Sequence, residues 1–266
     1  MTYKFGFIGA GNMGGALLTA AAKNNPDMKI SVFDVFREKA EEYAEKYENV
    51  EATDLKKTVT ESEYVFIGVK PQMAKDLFTD IAPLFSDFNP VLVSMLAGTS
   101  IEKLCTLSEK EMPVIRIMPN TPASIGEGVI LYCSNELVTD EKLSFFVNAM
   151  SGAGLLDRID ENKIDAASAV SGCGPAFAYM FIEALADGAV ECGIPRDKAM
   201  MYAAKMLSGS ADMVLQSGKH PGALKDAVCS PGGTTIAGVH ALEDGGFRAA
   251  AMNAVTSAYK RTLELK

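Results

Sequence analysis

Near the C-terminal end, residues 230–238 read Ser-Pro-Gly-Gly-Thr-Thr-Ile-Ala-Gly and lie between two apolar helical patterns. Ser, Gly and Thr at the start of a helix form a site for a small anion, because unpaired N–H groups and the positive end of the helix dipole point outward. The alternative is a simple N-cap, with Ser230 as the cap and Pro231 in the first helical position. Taken alone, the cap is the simpler interpretation. Two adjacent glycines nevertheless weaken a first helical turn unless something must approach the backbone closely, which favours the anion site.

A second glycine-rich turn, residues 9–14, directly follows a predicted strand and opens a predicted helix. The first glycine, Gly9, allows a tight turn, and the second, Gly11, lets a pyrophosphate contact the backbone. The third, Gly14, lets the helix and the strand pack closely. Because the strand, helix and second strand expected around such a turn are present, the sequence predicts dinucleotide binding rather than a purely structural turn.

Asp34 ends the second predicted strand, where its carboxylate can accept hydrogen bonds from the adenosine ribose hydroxyls. A carboxylate repels a 2′-phosphate and so slightly favours NADH, whereas Arg37, three residues on, could neutralise such a phosphate. Asp34 could equally be the N-cap of the helix that follows. The sequence therefore predicts NADPH or NADH as the cofactor and leaves the preference open.

Two later segments also lie at the ends of predicted strands, where open α/β sheets bind ligands. Residues 69–71 (Val-Lys-Pro) end one strand, and residues 118–122 (Met-Pro-Asn-Thr-Pro) end another. Proline-rich turns are often mere connectors. Asn120 and Thr121, however, could hold the nicotinamide end of the cofactor while the prolines stiffen the loop.

The elements that must position these residues follow two different patterns. Up to about residue 160, short apolar runs alternate with helical stretches, which predicts a parallel sheet covered on both faces. The predicted strands are 5–8, 30–33, 64–69, 91–95, 114–118 and 129–132, and the predicted helices include 16–23, 37–47, 73–85 and 141–150. After residue 161 the β pattern ends, and Gly or Pro breaks separate long helical segments. We expect an α/β Rossmann-type domain at residues 1–160 and an all-helical domain at residues 161–266, whose small residues suit a bundle, a subunit interface or both.

Composition narrows the classes of partner. The net charge is −9, and no Lys/Arg cluster offers a stripe for phosphates, so we expect no nucleic-acid partner. The five cysteines are scattered and never in C-x-x-C spacing, which argues against disulfides and a metal site and favours a cytoplasmic location. The start of the chain has no signal-peptide pattern. The longest apolar run, residues 176–185, is interrupted by Glu183, so we expect no membrane-spanning segment.

Taken together, these motifs resemble those of the pyrroline-5-carboxylate reductase family. The matching segments occur in the family's order along essentially the whole chain, and residues 230–238, which look like the family signature, are the most specific of them. The segments are residues 9–14, 69–71, 97–98, 118–123, 171–176 and 230–238.

The resemblance implies reduction of the cyclic imine 1-pyrroline-5-carboxylate to L-proline by hydride from NADPH or NADH. It also implies a helical domain that forms an intertwined homodimer with active sites at the interface, and dimers that often assemble into rings. The cofactor-binding residues expected on the combined grounds are Gly9, Ala10, Gly11, Asn12, Met13, Gly14, Asp34, Val69, Lys70, Pro71, Ala97, Gly98, Pro119 and Asn120.

For the substrate, the resemblance implies that the carboxylate is held by Ser230, Gly233, Thr234 and Thr235. The hydroxyl that contacts the ring nitrogen would be Ser168, where the family usually has threonine; serine keeps the hydroxyl but holds it less rigidly. Cys173 stands where serine is common. Neither departure alters the expected reaction.

Two other functions fit parts of the pattern. A β-hydroxyacid dehydrogenase shares the glycine turn and the helical domain, but its catalytic lysine, expected four residues after Gly174, is replaced by Ala178. A nucleotide-sensing protein would keep the glycine turn without chemistry, yet this chain retains the second ligand motif as well. Imine reduction needs no such lysine, since the cofactor supplies the chemistry and the protein supplies position and electrostatics.

Overall fold

The apolar runs of the N-terminal half form one continuous sheet in the computed structural model, which describes residues 2–264. Within those residues the sheet has eight strands, in the order β3-β2-β1-β4-β5-β6-β7-β8. The strands are β1 (Tyr3–Ile8), β2 (Ile30–Phe33), β3 (Val50–Ala52), β4 (Ser62–Ile67), β5 (Val91–Ser94), β6 (Val114–Met118), β7 (Gly128–Ser134) and β8 (Gly154–Arg158). The predicted Rossmann-type fold is confirmed, although β3 and β8 were not predicted.

The sheet is parallel except at one pair. Strands β6 and β7 are antiparallel, with Ile117 paired to Tyr132, whereas β7 and β8 are again parallel. The expectation of a parallel sheet is therefore wrong at this pair. A parallel return needs a crossover of about a dozen residues or more, usually a helix, but residues 119–127 contain only a short 3-10 turn, Thr121–Ile125.

Both faces of the sheet are buried, which explains why its strands are apolar without alternation. Phe5, Phe7 and Phe66 pack on one face, and Ile8 and Ile67 pack on the other. The flanking helices are α1 (Asn12–Asn24), α2 (Arg37–Lys46), α3 (Leu55–Glu61), α4 (Ala74–Ile81), α5 (Ile101–Leu107), α6 (Asp140–Met150) and α7 (Glu161–Ser171).

Three of these helices begin at ordinary side-chain caps. Asp54, Ser100 and Thr139 each accept a hydrogen bond from the backbone N–H three residues ahead, at the starts of α3, α5 and α6. Such a cap satisfies one of the N–H groups that a helix start leaves unpaired, and it stabilises the helix by about 1 kcal/mol. Helix α1 has no side-chain cap.

The chain divides into two compact units after Cys173, and the first unit also includes the chain from Ala258 onward. Strand β8 ends at Arg158, so the sheet ends near the predicted boundary at residue 160. Helix α7 nevertheless belongs to the first unit, because its buried Ile164 packs with Leu131 and Cys133 of β7. The compact units therefore divide later than the predicted domains.

The second unit, Gly174–Ser257, is helical throughout. Its elements are α8 (Gly174–Glu191), α9 (Arg196–Ser217), α10 (Pro221–Ala227), α11 (Thr234–Asp244) and the greater part of α12 (Phe247–Glu264). Helices α8 and α9 pack on each other around the small side chains of Ala186, Ala199 and Ala203. The glycine and proline breaks predicted from the sequence coincide with the ends of these helices.

Large apolar side chains of this unit remain exposed. Met180 is 70% exposed and Leu215 is 79% exposed, and Tyr179, Met201, Tyr202 and Met252 are also more than half exposed. An isolated exposed apolar residue is unremarkable, but a set of this size marks a surface that another molecule covers.

One helical stretch among the described residues, Glu161–Glu191, has the length and composition of a membrane-spanning segment. The expectation that the apolar run is too short is therefore wrong, because the helical residues on both sides of positions 176–185 lengthen it. Only 11% of its most apolar window is buried within the chain. Length and composition do not distinguish a bilayer from a partner chain as the cover of this surface.

Candidate active site

The three glycines of the N-terminal turn have different surroundings. A Cβ on Gly9 would lie 2.8 Å from the carbonyl oxygen of Gly68, and a Cβ on Gly14 would lie 2.1 Å from that of Gly9. A Cβ on Gly11 would have no heavy atom within 4 Å. Gly9 and Gly14 therefore permit close packing of backbone on backbone, whereas Gly11 faces open space that a ligand can enter. Gly68, which follows β4 and completes this contact, was not predicted.

Helix α1 starts directly behind that open space. Its N-cap is Gly11, which has no side chain to accept a hydrogen bond, and no acidic residue lies in its first turn. The first-turn N–H groups, including those of Asn12 and Met13, consequently lack an acceptor on the helix itself. Together with the helix dipole, these N–H groups give the helix start the chemistry that suits an anion.

Asp34 is held between two backbone donors. Its Oδ2 accepts a hydrogen bond from the N–H of Ala10 at 2.8 Å, and its Oδ1 accepts one from the N–H of Phe36 at 2.9 Å. The alternative that Asp34 caps the following helix is wrong, since Phe36 is the N-cap of α2 and α2 has no side-chain cap. The N–H of Ala10 is thus engaged by Asp34, which fixes the glycine turn to the end of β2.

A cavity of about 390 Å³ lies along the carboxyl ends of β1, β2 and β4. Among the residues predicted for the cofactor, Gly9, Gly11, Asp34, Val69 and Lys70 line it. Ala97 and Gly98 follow β5, the next strand of the sheet, and Pro71 follows Lys70 in a short 3-10 turn. Most of the predicted cofactor residues are therefore at one edge of the sheet.

A second cavity, of about 630 Å³, shares Asp34 with the first and continues past Arg37 and Lys57. Arg37 pairs with Glu41 on the surface, and Lys57 pairs with Glu51. Hydrogen bonds to Glu51 and Tyr3 raise the pKa of Lys57 above its ordinary value, so this ammonium remains charged at neutral pH. The lining of this cavity therefore carries both signs of charge, with Arg37 and Lys57 beside the carboxylates of Asp34, Glu51 and Asp54.

Asn120 is buried, and both ends of its amide are engaged. Its Nδ2 donates to the carbonyl oxygen of Ser171 at 2.9 Å, and its Oδ1 accepts from the N–H of Val129 at 2.9 Å. The side chain predicted to hold the nicotinamide thus ties the loop after β6 to the end of α7 and to β7. The adjacent Pro119 is buried as well.

Ser168 lies on α7 and is 7% exposed. Within residues 2–264 its hydroxyl has no hydrogen-bond partner, so it remains available to a ligand. A Cβ on Gly172 would lie 2.7 Å from the Ser168 Oγ. Gly172 therefore leaves space beside the hydroxyl that any other residue would fill, a role that sequence reasoning did not assign to it.

In the second unit, residues 230–233 form a turn that ends at the start of α11. The N–H of Gly233 donates to the carbonyl oxygen of Ser230 at 3.0 Å, and Gly232 has φ +66°, which favours glycine. The N-cap is Gly233, again without a side-chain cap, so Ser230 is not the cap. Thr234 and Thr235 occupy the exposed first turn, where unpaired N–H groups and two hydroxyls suit a carboxylate.

Neither histidine is placed as an obvious acid. His220 Nδ1 accepts a hydrogen bond from the N–H of Gly222 at the start of α10, and His240 lies against Asp244 on the surface of α11. Burial raises the pKa of Cys133 to about 11, so this thiol is not a nucleophile at neutral pH. The part of the chain described here contains no group of three or more His, Cys, Asp or Glu residues that could hold a metal ion.

Known protein families match both the N-terminal and the C-terminal part of the chain. The pyrroline-5-carboxylate reductase dimerisation family matches residues 161–265, and a family described as NADP oxidoreductase, coenzyme F420-dependent, matches residues 4–98. A pyrroline-5-carboxylate reductase of Glycine max is 40% identical over 272 residues, which cover 99% of this chain and 96% of that protein. The chain belongs to the pyrroline-5-carboxylate reductase family.

Other members agree over the same length. The pyrroline-5-carboxylate reductase of Escherichia coli K12 is 37% identical over 278 residues, covering 100% of this chain and 99% of that protein. The crystal structure of the Plasmodium falciparum pyrroline carboxylate reductase with NADP bound has a TM-score of 0.88 at 31% identity, covering 98% of this chain and 97% of that one. These findings confirm the predicted family, its fold class and the assignment to the NAD(P)H-dependent oxidoreductases.

The unequal surroundings of the glycines predict opposite effects of one added methyl group. Gly11→Ala should leave the thermal unfolding midpoint of the ligand-free protein within about 2 °C of wild type, yet weaken NADPH binding at least roughly 10-fold, because the methyl occupies the space of the phosphate. Gly14→Ala should lower the midpoint, because its methyl meets the carbonyl of Gly9. Calorimetry and fluorescence titration measure the two effects, and equal behaviour of both variants would contradict these roles.

Asp34 should tune the choice between the two cofactors. Asp34→Asn removes the negative charge facing a 2′-phosphate, so the ratio of kcat/KM with NADPH to that with NADH should rise roughly 10-fold. Asp80→Asn, at another carboxylate of the same cavity, is the matched control and should change the ratio less than about 3-fold. An unchanged ratio in Asp34→Asn, or a strong NADPH preference in the wild type, would remove the ribose-binding role of Asp34.

Proposed function

We propose that this chain reduces 1-pyrroline-5-carboxylate to L-proline, the last step of proline biosynthesis, using NADPH or NADH. The observation that carries the proposal is that each unit contains a helix whose N-cap is a glycine with no side-chain cap, Gly11 of α1 and Gly233 of α11, each within a motif that matches the family. Two such sites suit a reaction that joins a phosphate-bearing cofactor to a substrate with a carboxylate.

In the first unit, the start of α1 holds the pyrophosphate of the cofactor. The open space at Gly11 supports this role, and Asp34 supports it indirectly by fixing the turn through the N–H of Ala10. Val69, Lys70 and Pro71, with Ala97 and Gly98, form the rest of the carboxyl edge along which the cofactor extends. When bound, NAD(P)H supplies a hydride to the imine carbon and is left as NAD(P)⁺.

In the second unit, the start of α11 holds the substrate carboxylate. The N–H groups of the first helical turn act as donors, and the hydroxyls of Ser230, Thr234 and Thr235 add to them. Gly233 places no side chain in the way. Because the protein carries a net charge of −9, long-range attraction cannot collect this anion, and the local dipole must hold it.

Ser168 contacts the ring nitrogen of the substrate. Its hydroxyl, which has no hydrogen-bond partner within the described chain, can accept a hydrogen bond from a protonated imine or orient a water molecule that delivers the proton. Anchoring the carboxylate and the nicotinamide then accelerates the reaction by proximity and orientation.

A single set of assays tests the reaction. The absorbance of NADPH and NADH should fall when pyrroline-5-carboxylate is added, and one proline should form for each cofactor oxidised. A panel of β-hydroxyacids with NADP⁺ or NAD⁺ should give no reduction of the cofactor. Turnover of a hydroxyacid instead would favour a dehydrogenase, and cofactor binding without any turnover would favour a nucleotide sensor; either result contradicts the proposal.

Removal of single hydroxyls tests the assigned roles. Ser168→Ala and Thr235→Ala should each lower kcat/KM roughly 5- to 150-fold, because each removes one polar contact. This decrease corresponds to a loss of about 1–3 kcal/mol of transition-state binding. Ser108→Ala and Thr256→Ala are matched controls, since both hydroxyls bond only to backbone carbonyls of their own helices. Wild-type kinetics in Ser168→Ala and Thr235→Ala would contradict the site.

The working form of the protein in this proposal is a homodimer. The exposed apolar side chains of α8, α9 and α12 support it, because the second unit has little core of its own and two copies can bury these side chains together. A partner chain also accounts for the apolar stretch Glu161–Glu191 without a membrane. A ring of dimers, which the family resemblance implies, is the larger assembly within the same proposal.

Location and other partners complete the proposal. The five cysteines are all unpaired, which supports the reducing cytoplasm. The net charge of −9 argues against a nucleic-acid partner. The only ligands in this proposal are thus the cofactor, a small imino acid and further copies of the chain.

If the exposed apolar side chains form the dimer interface, a charge introduced among them should weaken the dimer and lower the molecular mass in solution. Sedimentation equilibrium should give at least twice the chain mass of 28.3 kDa. Met180→Glu should raise the dimer dissociation constant at least roughly 100-fold, since a symmetric dimer buries two unpaired carboxylates. Leu137→Glu, at an exposed leucine of the first unit, should leave the mass unchanged. A monomeric wild type would contradict the proposed assembly.

A further inference from the structure

An arginine lies in the middle of an otherwise apolar strand of the first unit. Arg116 of β6 is 2% exposed and is the largest fully buried side chain among the described residues. Its Nη2 donates to Asp165 at 2.5 Å, and its Nη1 donates to Glu161 at 3.3 Å. Both acids belong to α7, so the arginine connects the sheet to that helix alone.

A buried ion pair of this kind is not explained by stability. Desolvation of the two charges offsets most of their attraction, and well-packed apolar residues of similar volume often stabilise a protein as much or more. The Arg116 Nε even lacks a hydrogen-bond partner within the described chain. In some proteins such a pair instead specifies one arrangement of the groups around it, because a satisfied buried polar contact rigidifies its surroundings.

Apolar side chains attach α7 to the sheet. Ile164 is fully buried and packs, with the small Ala167, against Leu131 and Cys133 of β7. Polar contacts add a directional constraint to this packing, because a hydrogen bond weakens steeply when its geometry changes. Both kinds of contact therefore set the position of α7 on the sheet.

Those polar contacts occur along the whole helix. At its start, Oε1 of Glu161 accepts from the N–H of Ile101 at 2.7 Å as well as from Arg116. In its middle, Asp165 accepts a hydrogen bond from Arg116. At its end, the carbonyl oxygen of Ser171 accepts from Asn120. Arg116 and Asn120 flank the end of β6, so this strand and its loop hold α7 at the middle and at the end.

Ser168 lies between these two contacts. It is three residues after Asp165 and three before Ser171, within one helical turn of each. We propose that Arg116 and Asp165 are positioning residues for the reduction, whose buried pair sets the position of the Ser168 hydroxyl relative to the loop at residues 118–121. The inference rests on the proposed function, in which Ser168 contacts the substrate, and on the prediction from the sequence that Asn120 and Thr121 hold the nicotinamide.

Two variants of the full-length protein separate positioning from stability. Asp165→Asn keeps the shape of the side chain but leaves Arg116 with one neutral partner. The double variant Arg116→Met/Asp165→Leu replaces the pair with apolar side chains of similar size, so it should restore the thermal unfolding midpoint to near the wild-type value. Lys163→Gln is the matched control, because Lys163 on the same helix forms an exposed ion pair with the N-cap residue Asp160.

For a positioning role, kcat should fall at least roughly 10-fold in both variants, while the dissociation constant of NADPH should change less than about 3-fold. The primary deuterium isotope effect on kcat, measured with cofactor deuterated at the transferred position, should rise as hydride transfer becomes the slow step. A merely structural pair would lower the unfolding midpoint without altering the isotope effect. Lys163→Gln should match the wild type in all three measurements.

A stable double variant with wild-type kcat and isotope effect would overturn the inference, because the pair would then serve folding alone. If the double variant does not fold, the same test applies to Asp165→Asn, whose kcat is taken per folded molecule. A wild type that does not reduce pyrroline-5-carboxylate would refute the proposed function and the inference together. An active wild type with unaffected variants would refute the inference alone.

Discussion

The cofactor edge of this protein depends on one contact of backbone with backbone. The carbonyl oxygen of Gly9 would lie 2.1 Å from a Cβ at residue 14, and that of Gly68 would lie 2.8 Å from a Cβ at residue 9. Only glycine lets β1, α1 and β4 approach this closely. Once they do, α1 begins directly at the end of β1, its dipole points into the cavity, and Gly11 alone faces open space. The anion site is thus a consequence of close packing and not a separate addition to the fold.

An acidic protein can attract an anionic ligand only through local dipoles, because its net charge repels the ligand. With a net charge of −9, the chain repels at long range the phosphates and carboxylates that its family binds. Helices α2, α4, α7 and α9 also lack a side-chain cap, but α1 and α11 differ from them in having a glycine as the N-cap residue. A glycine N-cap leaves the first-turn N–H groups open to a ligand and costs only a few tenths of a kcal/mol relative to a polar cap.

The same division between function and stability is visible around α7. Its apolar contacts are sufficient to attach it to the sheet, yet a buried arginine and a buried asparagine also hold it. Asn120 was predicted from its position to contact the cofactor, whereas its amide joins Ser171 to Val129. The side chain of a residue at a strand end can therefore position a neighbouring helix, a role that its place in the sequence does not reveal.

Periodicity and glycine placement determined the alternation of strands and helices, the helical second half and the motifs that carry the family resemblance. These features are local, since an apolar run, a cap or a glycine turn has the same physical meaning wherever it occurs. Pairing between residues distant in the sequence decided three further features: the antiparallel return of β7, the edge strands β3 and β8, and the position of α7. The arginine within Val-Ile-Arg-Ile-Met at residues 114–118 was a visible signal of a buried charge, but its partners lie 45 and 49 residues away. Only the tertiary structure could supply them, because the desolvation of a charge is offset by whichever group the fold brings into contact with it.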